Sequence, residues 1–281
     1  MATQQFLFPI HHAAPFLKWV GGKSKYLRQL SRFFPPKFNR YIEPFLGSGA
    51  VYFHILARFQ PATCYLSDLN SDLIQCYEVV RDRCESLIDL LTVHKQKHSP
   101  DYYSKIRAQR PSDLSFLEAA ARFIYLNKTC FNGLYRVNQL GAFNVPIGDF
   151  TDPKICDPER LSLSSHALAY AEMRASDFAI ALRDTQPQDF IYLDPPYQPI
   201  SATAHFTRYT SHQFGRGDQM RLAATYEALD RRRCYVMLTN SDSELTRALY
   251  RQYRIEEIFT NRSISSNPTT RGTVKELVVL N

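Results

Sequence analysis

Apolar and polar residues alternate along the chain in two rhythms. Short runs rich in β-branched and aromatic residues, "YIEPF" (41–45), "ATCYLSD" (62–68), "DFIYLD" (189–194) and "CYVMLTNS" (234–241), each end in polar residues or lead into a glycine turn. Runs of that length, bounded by turn formers, predict buried strands. "RIEEIFT" (254–260) and "VKELVVL" (274–280) alternate with period two and predict a closing antiparallel hairpin, joined by the polar loop "NRSISSNPTTRG", at one side of the sheet. Between strands the spacing turns helical. "SDLIQCYEVVRDRCESLIDLLTVHKQ" predicts one helix with Ser71 or Asp72 as its N-cap, and "SFLEAAARFIYLNK" predicts another. Strands alternating with helices predict an α/β chain with a mostly parallel sheet covered on both faces. Residues 72–165 interrupt the alternation with helices and then the Gly-containing segment "TCFNGLYRVNQLGAFNVPIGDF". An insert of that size predicts a second, mainly helical unit. It leaves 15–71 and 166–281 as the sheet-bearing domain and 1–14 as a flexible leader.

Composition narrows the class. The chain has 281 residues, a net charge of +7 and 44% hydrophobic residues, which is enough for a real core. The basic excess is spread through the chain and suits a polyanionic partner. Cys64, Cys76, Cys84, Cys130, Cys156 and Cys234 form no CxxC pair, and no His cluster has zinc spacing, so reduced thiols and no metal are expected. The N-terminus "MATQQFLFPIHHAAP" lacks the pattern of a signal peptide, and no apolar run approaches the roughly 20 residues that cross a bilayer. A cytoplasmic protein with no membrane association is expected.

Chemistry concentrates where strands end. In "EPFLGSGAVYF", residues 43 to 53, Gly47 and Gly49 follow a strand and open a helix, which permits close backbone approach by a ligand. Asp68 ends the next strand about 20 residues later, a spacing that suits a carboxylate holding ribose hydroxyls. Val51 and Tyr52 follow Gly49, so the full dinucleotide pattern is missing and a nucleoside without a pyrophosphate fits better. In "YLDPPYQPI" the strand must stop at Pro195-Pro196, because each proline lacks a ladder N–H. Asp194 and Tyr197 are thereby fixed at the ligand-binding edge of the sheet. A flat ring beside an acceptor matches the recognition of an extruded base, with the Asp194 side chain and the Pro195 carbonyl gripping one exocyclic amine. The competing reading of Asp194 is a helix cap. In "FLKWVGGKSKYL" the single tryptophan, Trp19, stands near Gly21, Gly22 and Lys23, where it either walls a pocket or packs in the core.

These blocks, with "SDLNSDLI", "LNKTCFNGLYRVNQLGAFNVPIG", "YLDPPYQPISATAHFTRY" and "RSISSN", resemble the Dam family of DNA adenine-N6 methyltransferases from Phe16 to about Leu280. The resemblance implies a Rossmann-like sheet, S-adenosyl-L-methionine as methyl donor, S-adenosyl-L-homocysteine as product, and an insert that recognises duplex DNA. It implies that Trp19, Lys23, Phe45, Gly47, Ser48, Gly49, Asp68 and Asp194 hold the cofactor. It gives Asp194, Pro195, Pro196 and Tyr197 the target adenine. An aromatic amine is a poor nucleophile because its lone pair is delocalised; accepting both N–H hydrogens localises that pair towards the methyl group, and positioning supplies the rest. No Cys sits in this constellation, which argues against cytosine-C5 chemistry.

The resemblance also implies a DNA-reading set. Phe131 takes the place of an aromatic wedge in the gap left by the flipped base, and Asn132 lies beside the orphaned thymine. Arg136 matches a guanine-reading arginine, Leu134 and Pro146 match contacts to thymine methyl groups, and Lys18 matches a further base contact. Together they imply GATC. A phosphate contact or a surface ion pair is the competing reading of Arg136. Departures from the family pattern fall at Asp149, where a basic residue suits DNA better, and at "NPTTRG". The polar stretch 201–218 is expected to be mobile and to close over the base. Two rival functions remain: methylation of an amine or amide in RNA or on a protein glutamine, and a DNA-binding module without catalysis. "FNGLYR" speaks against the first, and intact Asp194 and Tyr197 against the second. No obligatory protein partner is implied.

Overall fold

The computed structural model describes residues 10–138, 141–197, 214–261 and 273–281. Its centre is a seven-stranded sheet in the order β3-β2-β1-β4-β5-β7-β6. The strands are Tyr41–Glu43 (β1), Cys64–Asp68 (β2), Ala171–Ala175 (β3), Phe190–Leu193 (β4), Tyr235–Ser241 (β5), Arg254–Asn261 (β6) and Thr273–Leu280 (β7). The first five run parallel, and β7 lies antiparallel between β5 and β6. The helices are Leu27–Leu30 (α1), Ala50–Phe59 (α2), Ser71–Asp82 (α3), Cys84–Lys97 (α4), Pro100–Ala108 (α5), Phe116–Thr129 (α6), Pro158–Leu168 (α7), Phe178–Ala181 (α8), Arg216–Arg231 (α9) and Glu244–Leu249 (α10). This is the Rossmann-like α/β class expected.

Period-two geometry sends alternate side chains to opposite faces. Tyr41, Phe190, Tyr192, Met237 and Val278 join one buried cluster, with α2, α3 and α6. Ile42, Ile191, Leu193, Val236, Leu238 and Val279 join the other, with α9. Both faces are therefore covered, which is why the central strands read as unbroken apolar runs. Tyr103, Ile106, Phe123, Tyr125 and Val145 of the insert belong to the same cluster as the sheet residues Tyr41 and Phe190. The insert is thus continuous with the core on that face, and it reaches the sheet through α3, which packs on β2 and β3.

Several expectations are corrected. The single helix expected after Ser71 is two, α3 and α4, broken at Arg83 (φ −137°, ψ 33°) with no Gly or Pro to mark it. Its cap is neither Ser71 nor Asp72: the Asn70 side chain accepts from Leu73 N at 3.1 Å. Strand β3 was not expected. It is an edge strand of sequence AEMRA with one buried residue, so it carries little hydrophobic pattern. Of the leader, residues 1–9 lie outside the described residues; from Ile10 the chain is packed rather than loose. Ile10 is buried, His11 Nδ1 is 3.0 Å from Ala57 O, and Ser164 Oγ donates to Ala14 O at 3.0 Å. Most of the 201–218 segment also lies outside the described residues, but Arg216 opens α9. The 262–272 part of the closing loop lies outside them as well. No helix among the described residues is long and apolar enough to cross a membrane.

Candidate active site

The carboxyl ends of β1, β2, β3 and β4 open onto one cleft of about 230 Å³. Trp19, Lys23, Phe45, Gly47, Ser48, Asp68, Asp194, Pro195, Pro196 and Tyr197 all line it, so ten of the sequence-derived positions converge there. Gly49 does not line it. It adopts φ +67° and N-caps α2 just behind the turn.

The turn after β1 holds a fixed shape. Gly47 has φ +48°, and a Cβ there would stand 2.9 Å from Trp19 Cδ1, so only glycine fits. Its N–H donates to Asp68 Oδ2 at 3.1 Å, and Tyr77 Oη donates to its carbonyl at 3.1 Å. Asn70 N–H donates to Asp68 Oδ1 at 2.9 Å. Burial pushes the Asp68 carboxyl up, and the N–H groups of Asn70, Gly47 and Leu69 pull it back. Backbone donors thus hold the Asp68 side chain at this end of the cleft. Trp19 fills both roles weighed for it: it lines the cleft and stacks on Tyr135 and Phe123, with ring centroids 6.0 and 6.4 Å away.

At the other end, β4 delivers Asp194. Lys23, only 4% exposed, donates from Nζ to both Asp194 oxygens at 2.7 Å and to Gly21 O at 2.9 Å. Thr239 Oγ1 of β5 donates to Asp194 Oδ1 at 2.8 Å. Its carboxylate is therefore engaged by side chains from other elements and not by a helix end. The Lys23 ammonium also lies 5.0 Å from the Tyr197 ring centroid. Tyr197 Oη donates to Glu276 Oε2 at 2.7 Å, and burial, with the charges of Asp194 and Glu276, pushes this phenol well above its ordinary range. Gln219 Nε2 donates to Pro196 O at 3.2 Å and is itself held by Asn240 at 3.1 Å.

The structure adds lining residues that sequence reasoning missed. Asp177 and Phe178 follow β3, and Phe214, Asp218 and Arg221 lead into or lie on α9. Phe178 packs 5.4 Å from Phe45 and 6.1 Å from Phe214. Arg221 lies 4.3 Å over the Phe178 ring and bonds both Asp177 oxygens at 2.8 Å. An acid and an aromatic ring after a strand were the signal to find, but the strand itself was not legible. Glu43 also lines the cleft; burial raises its carboxyl well above the usual range, and Tyr41 Oη donates to it at 2.8 Å.

The residues that the resemblance assigns to DNA lie outside the cleft lining; all but Lys18 fall in the segment 131–146, which Asn127 ties to Lys18. Asn127 accepts from Lys18 N at 2.9 Å and donates to Lys18 O at 2.7 Å and Gly133 O at 3.3 Å. Phe131 N–H donates to Pro146 O at 2.9 Å. The Phe131 ring is 50% exposed, and Asn132 beside it is exposed with φ +56°. Leu134 is half-buried, packed against the core, and Pro146 is exposed. Arg136 is half-buried, and its Nε donates to Asn144 Oδ1 at 2.8 Å. Lys18 Nζ sits 4.2 Å over the Phe150 ring. All six cysteines are free, none lines the cleft, and burial pushes the Cys130 thiol up to about 12.

A family model described as D12 class N6 adenine-specific DNA methyltransferase matches residues 19–264. A type II methyltransferase of Lactococcus lactis subsp. cremoris, M1.LlaDCHI, is 39% identical over 273 residues, 95% of each chain. The type II methyltransferase M.MjaIII of Methanocaldococcus jannaschii is 37% identical over 285 residues, 95% of this chain and 98% of its own. A DNA adenine methylase of Haemophilus influenzae is 32% identical over 281 residues, 99% of this chain and 96% of its own.

Proposed function

Because the chain belongs to the D12 class of N6 adenine-specific DNA methyltransferases, we propose that it methylates the N6 amine of an adenine flipped out of duplex DNA, within GATC, using S-adenosyl-L-methionine. One observation carries the reading. A carboxylate and an aromatic ring at the end of β4, Asp194 and Tyr197, share a cleft with the glycine turn and Asp68.

The residues present fit that methyl donor. Asp68 is an anionic acceptor held by backbone N–H groups, as ribose hydroxyls require, and Phe45 and Phe178 offer apolar ring faces beside it. Trp19 walls the same space, and Lys23 supplies a positive charge for a carboxylate. When bound, the donor supplies an electrophilic methyl group and leaves as S-adenosyl-L-homocysteine. The protein's own part is to orient the target amine. Lys23 now occupies both Asp194 oxygens, so the amine must replace its ammonium there while Thr239 keeps the carboxylate in place. The Asp194 oxygens and the Pro195 carbonyl then accept the two N–H hydrogens, and the Tyr197 ring stacks on the base. The proton lost from nitrogen leaves towards the Asp194 carboxylate.

On the DNA side, half-exposed Phe131 is the wedge and Asn132 its neighbour at the orphaned thymine. Arg136 reads guanine, Leu134 and Pro146 meet thymine methyls, and Lys18 adds a base contact. The braced segment suits this work, because base readout needs side chains held in register. In this division 15–71 and 166–281 carry catalysis, and 72–165 carries recognition. The net charge of +7 supports a polyanionic partner.

The test is expression in a host whose DNA lacks N6-methyladenine, followed by sequencing that detects the modified base in context. Wild type is expected to mark GATC and Asp194→Ala to mark nothing. Marks in another sequence would refute the GATC assignment alone. No modified adenine from folded wild-type protein would refute the reaction.

A further inference from the structure

We propose that Glu276 is a positioning residue for the reaction: through the Tyr197 phenol it fixes the ring on which the target base stacks. This rests on the function proposed above and deepens it. Tyr197 lies four residues beyond the last residue of β4, on irregular chain. The prolines before it restrict the backbone but leave its side-chain torsions free. Something else must fix the ring.

Glu276 can do so because its own backbone is fixed on both sides. In β7 it pairs with Ser241 of β5 and with Ile258 of β6. Its Oε2 accepts the Tyr197 hydroxyl at 2.7 Å, an ordinary length for an O–H···O hydrogen bond. Burial and the neighbouring carboxylates keep the phenol protonated, so it remains the donor. Asp194 and Pro196 have anchors of their own. Thr239 of β5 holds Asp194, and Gln219 of α9, braced by Asn240, holds the Pro196 carbonyl. Without Glu276 the tyrosine hydroxyl would lose this anchor, leaving the ring with the Lys23 ammonium 5.0 Å from its centroid. A ring free to turn about its torsions still binds DNA, because the reading segment lies elsewhere, but it presents the base to the methyl group less often.

The kinetics separate this role from a structural one. Glu276→Ala is expected to lower the single-turnover methylation rate by about 10- to 100-fold, the scale of a misplaced reactant. DNA affinity and cofactor affinity are expected to stay within about twofold, because an interaction felt only at the chemical step lowers kcat and not binding. Glu276→Gln keeps an acceptor oxygen and is expected to regain most of the rate. Tyr197→Phe removes the same hydrogen bond without touching β7, so it tests the proposal even if Glu276→Ala fails to fold. It is expected to match Glu276→Ala, and the double variant to be no slower than either single one. A Tyr197→Phe variant at the wild-type rate overturns the proposal. So do additive losses in the double variant, or a loss that appears in DNA affinity rather than in rate. Wild-type protein that methylates no adenine refutes the proposed function instead, so the two failures are distinct.

Discussion

Replacing Gly47 by alanine tests how tightly the glycine turn and Trp19 are fitted. Gly47 adopts φ +48°, and a Cβ built there stands 2.9 Å from Trp19 Cδ1 and 3.0 Å from Nε1, against 3.4–4 Å for ordinary contact. Two costs follow. Left-handed backbone costs an L-residue about 1–2 kcal/mol. Overpacking a filled site costs about 1–3 kcal/mol more. The second cost arises because Trp19 cannot simply retreat: it is backed by Tyr135 and Phe123, 6.0 and 6.4 Å away. Gly21→Ala is the control, with φ +80° and nothing within 4 Å of its Cβ. Urea unfolding should therefore show a loss of roughly 2–5 kcal/mol for Gly47→Ala and about 1–2 kcal/mol for Gly21→Ala. In a Trp19→Leu background, which removes the ring atoms, the Gly47→Ala cost should fall to the backbone share. The coupling between the two sites should be about 1–3 kcal/mol. Equal losses for the two glycine variants, or no coupling to Trp19, would refute the reasoning.

Asp68→Ala should weaken S-adenosyl-L-methionine by about tenfold or more, since hydrogen bonds to a charged group contribute about 1.5–3 kcal/mol; isothermal titration with unchanged affinity would remove Asp68 from the ribose site. Arg136→Ala should lose about 1–3 kcal/mol on GATC and far less where the guanine is replaced, whereas a phosphate contact would slow every sequence alike. Methylation rates on GATC and singly substituted sites decide between them. Lys128 gives a pH test. Burial, with the charges of Lys18 and Arg160, lowers its ammonium from 10.5 to about 8. Between those values the unfolded chain binds more protons than the folded one, so this group's contribution to stability rises with pH. Lys128→Met should be more stable than wild type at neutral pH, with the gap closing from about pH 8 towards 10.5; a gap that does not change over that window would count against the lowered value.

The residues that end the buried strands were legible because burial on both faces leaves a continuous apolar run, and its polar terminus marks the ligand edge. Gly47, Asp68, Asp194 and Tyr197 were all found that way, and they share one cleft. The paired period-two runs of β6 and β7 announced an antiparallel pair, and the structure has it. Tertiary structure decided the rest. Strand β3 has one buried residue at the sheet edge, so it carries no pattern, and with it went Asp177 and Phe178. The break at Arg83 carries no Gly or Pro. The partners within the site were out of reach for a different reason. Lys23 meets Asp194 across 171 residues, and Glu276 meets Tyr197 across 79. A sequence states which side chains can donate and accept, and its periodicity states where strands end. Which donor meets which acceptor depends on strand order, and β7 lies between β5 and β6, where Val278 is buried on one face of the sheet and Val279 on the other; that order follows from burial across the whole sheet, which no local run of sequence states.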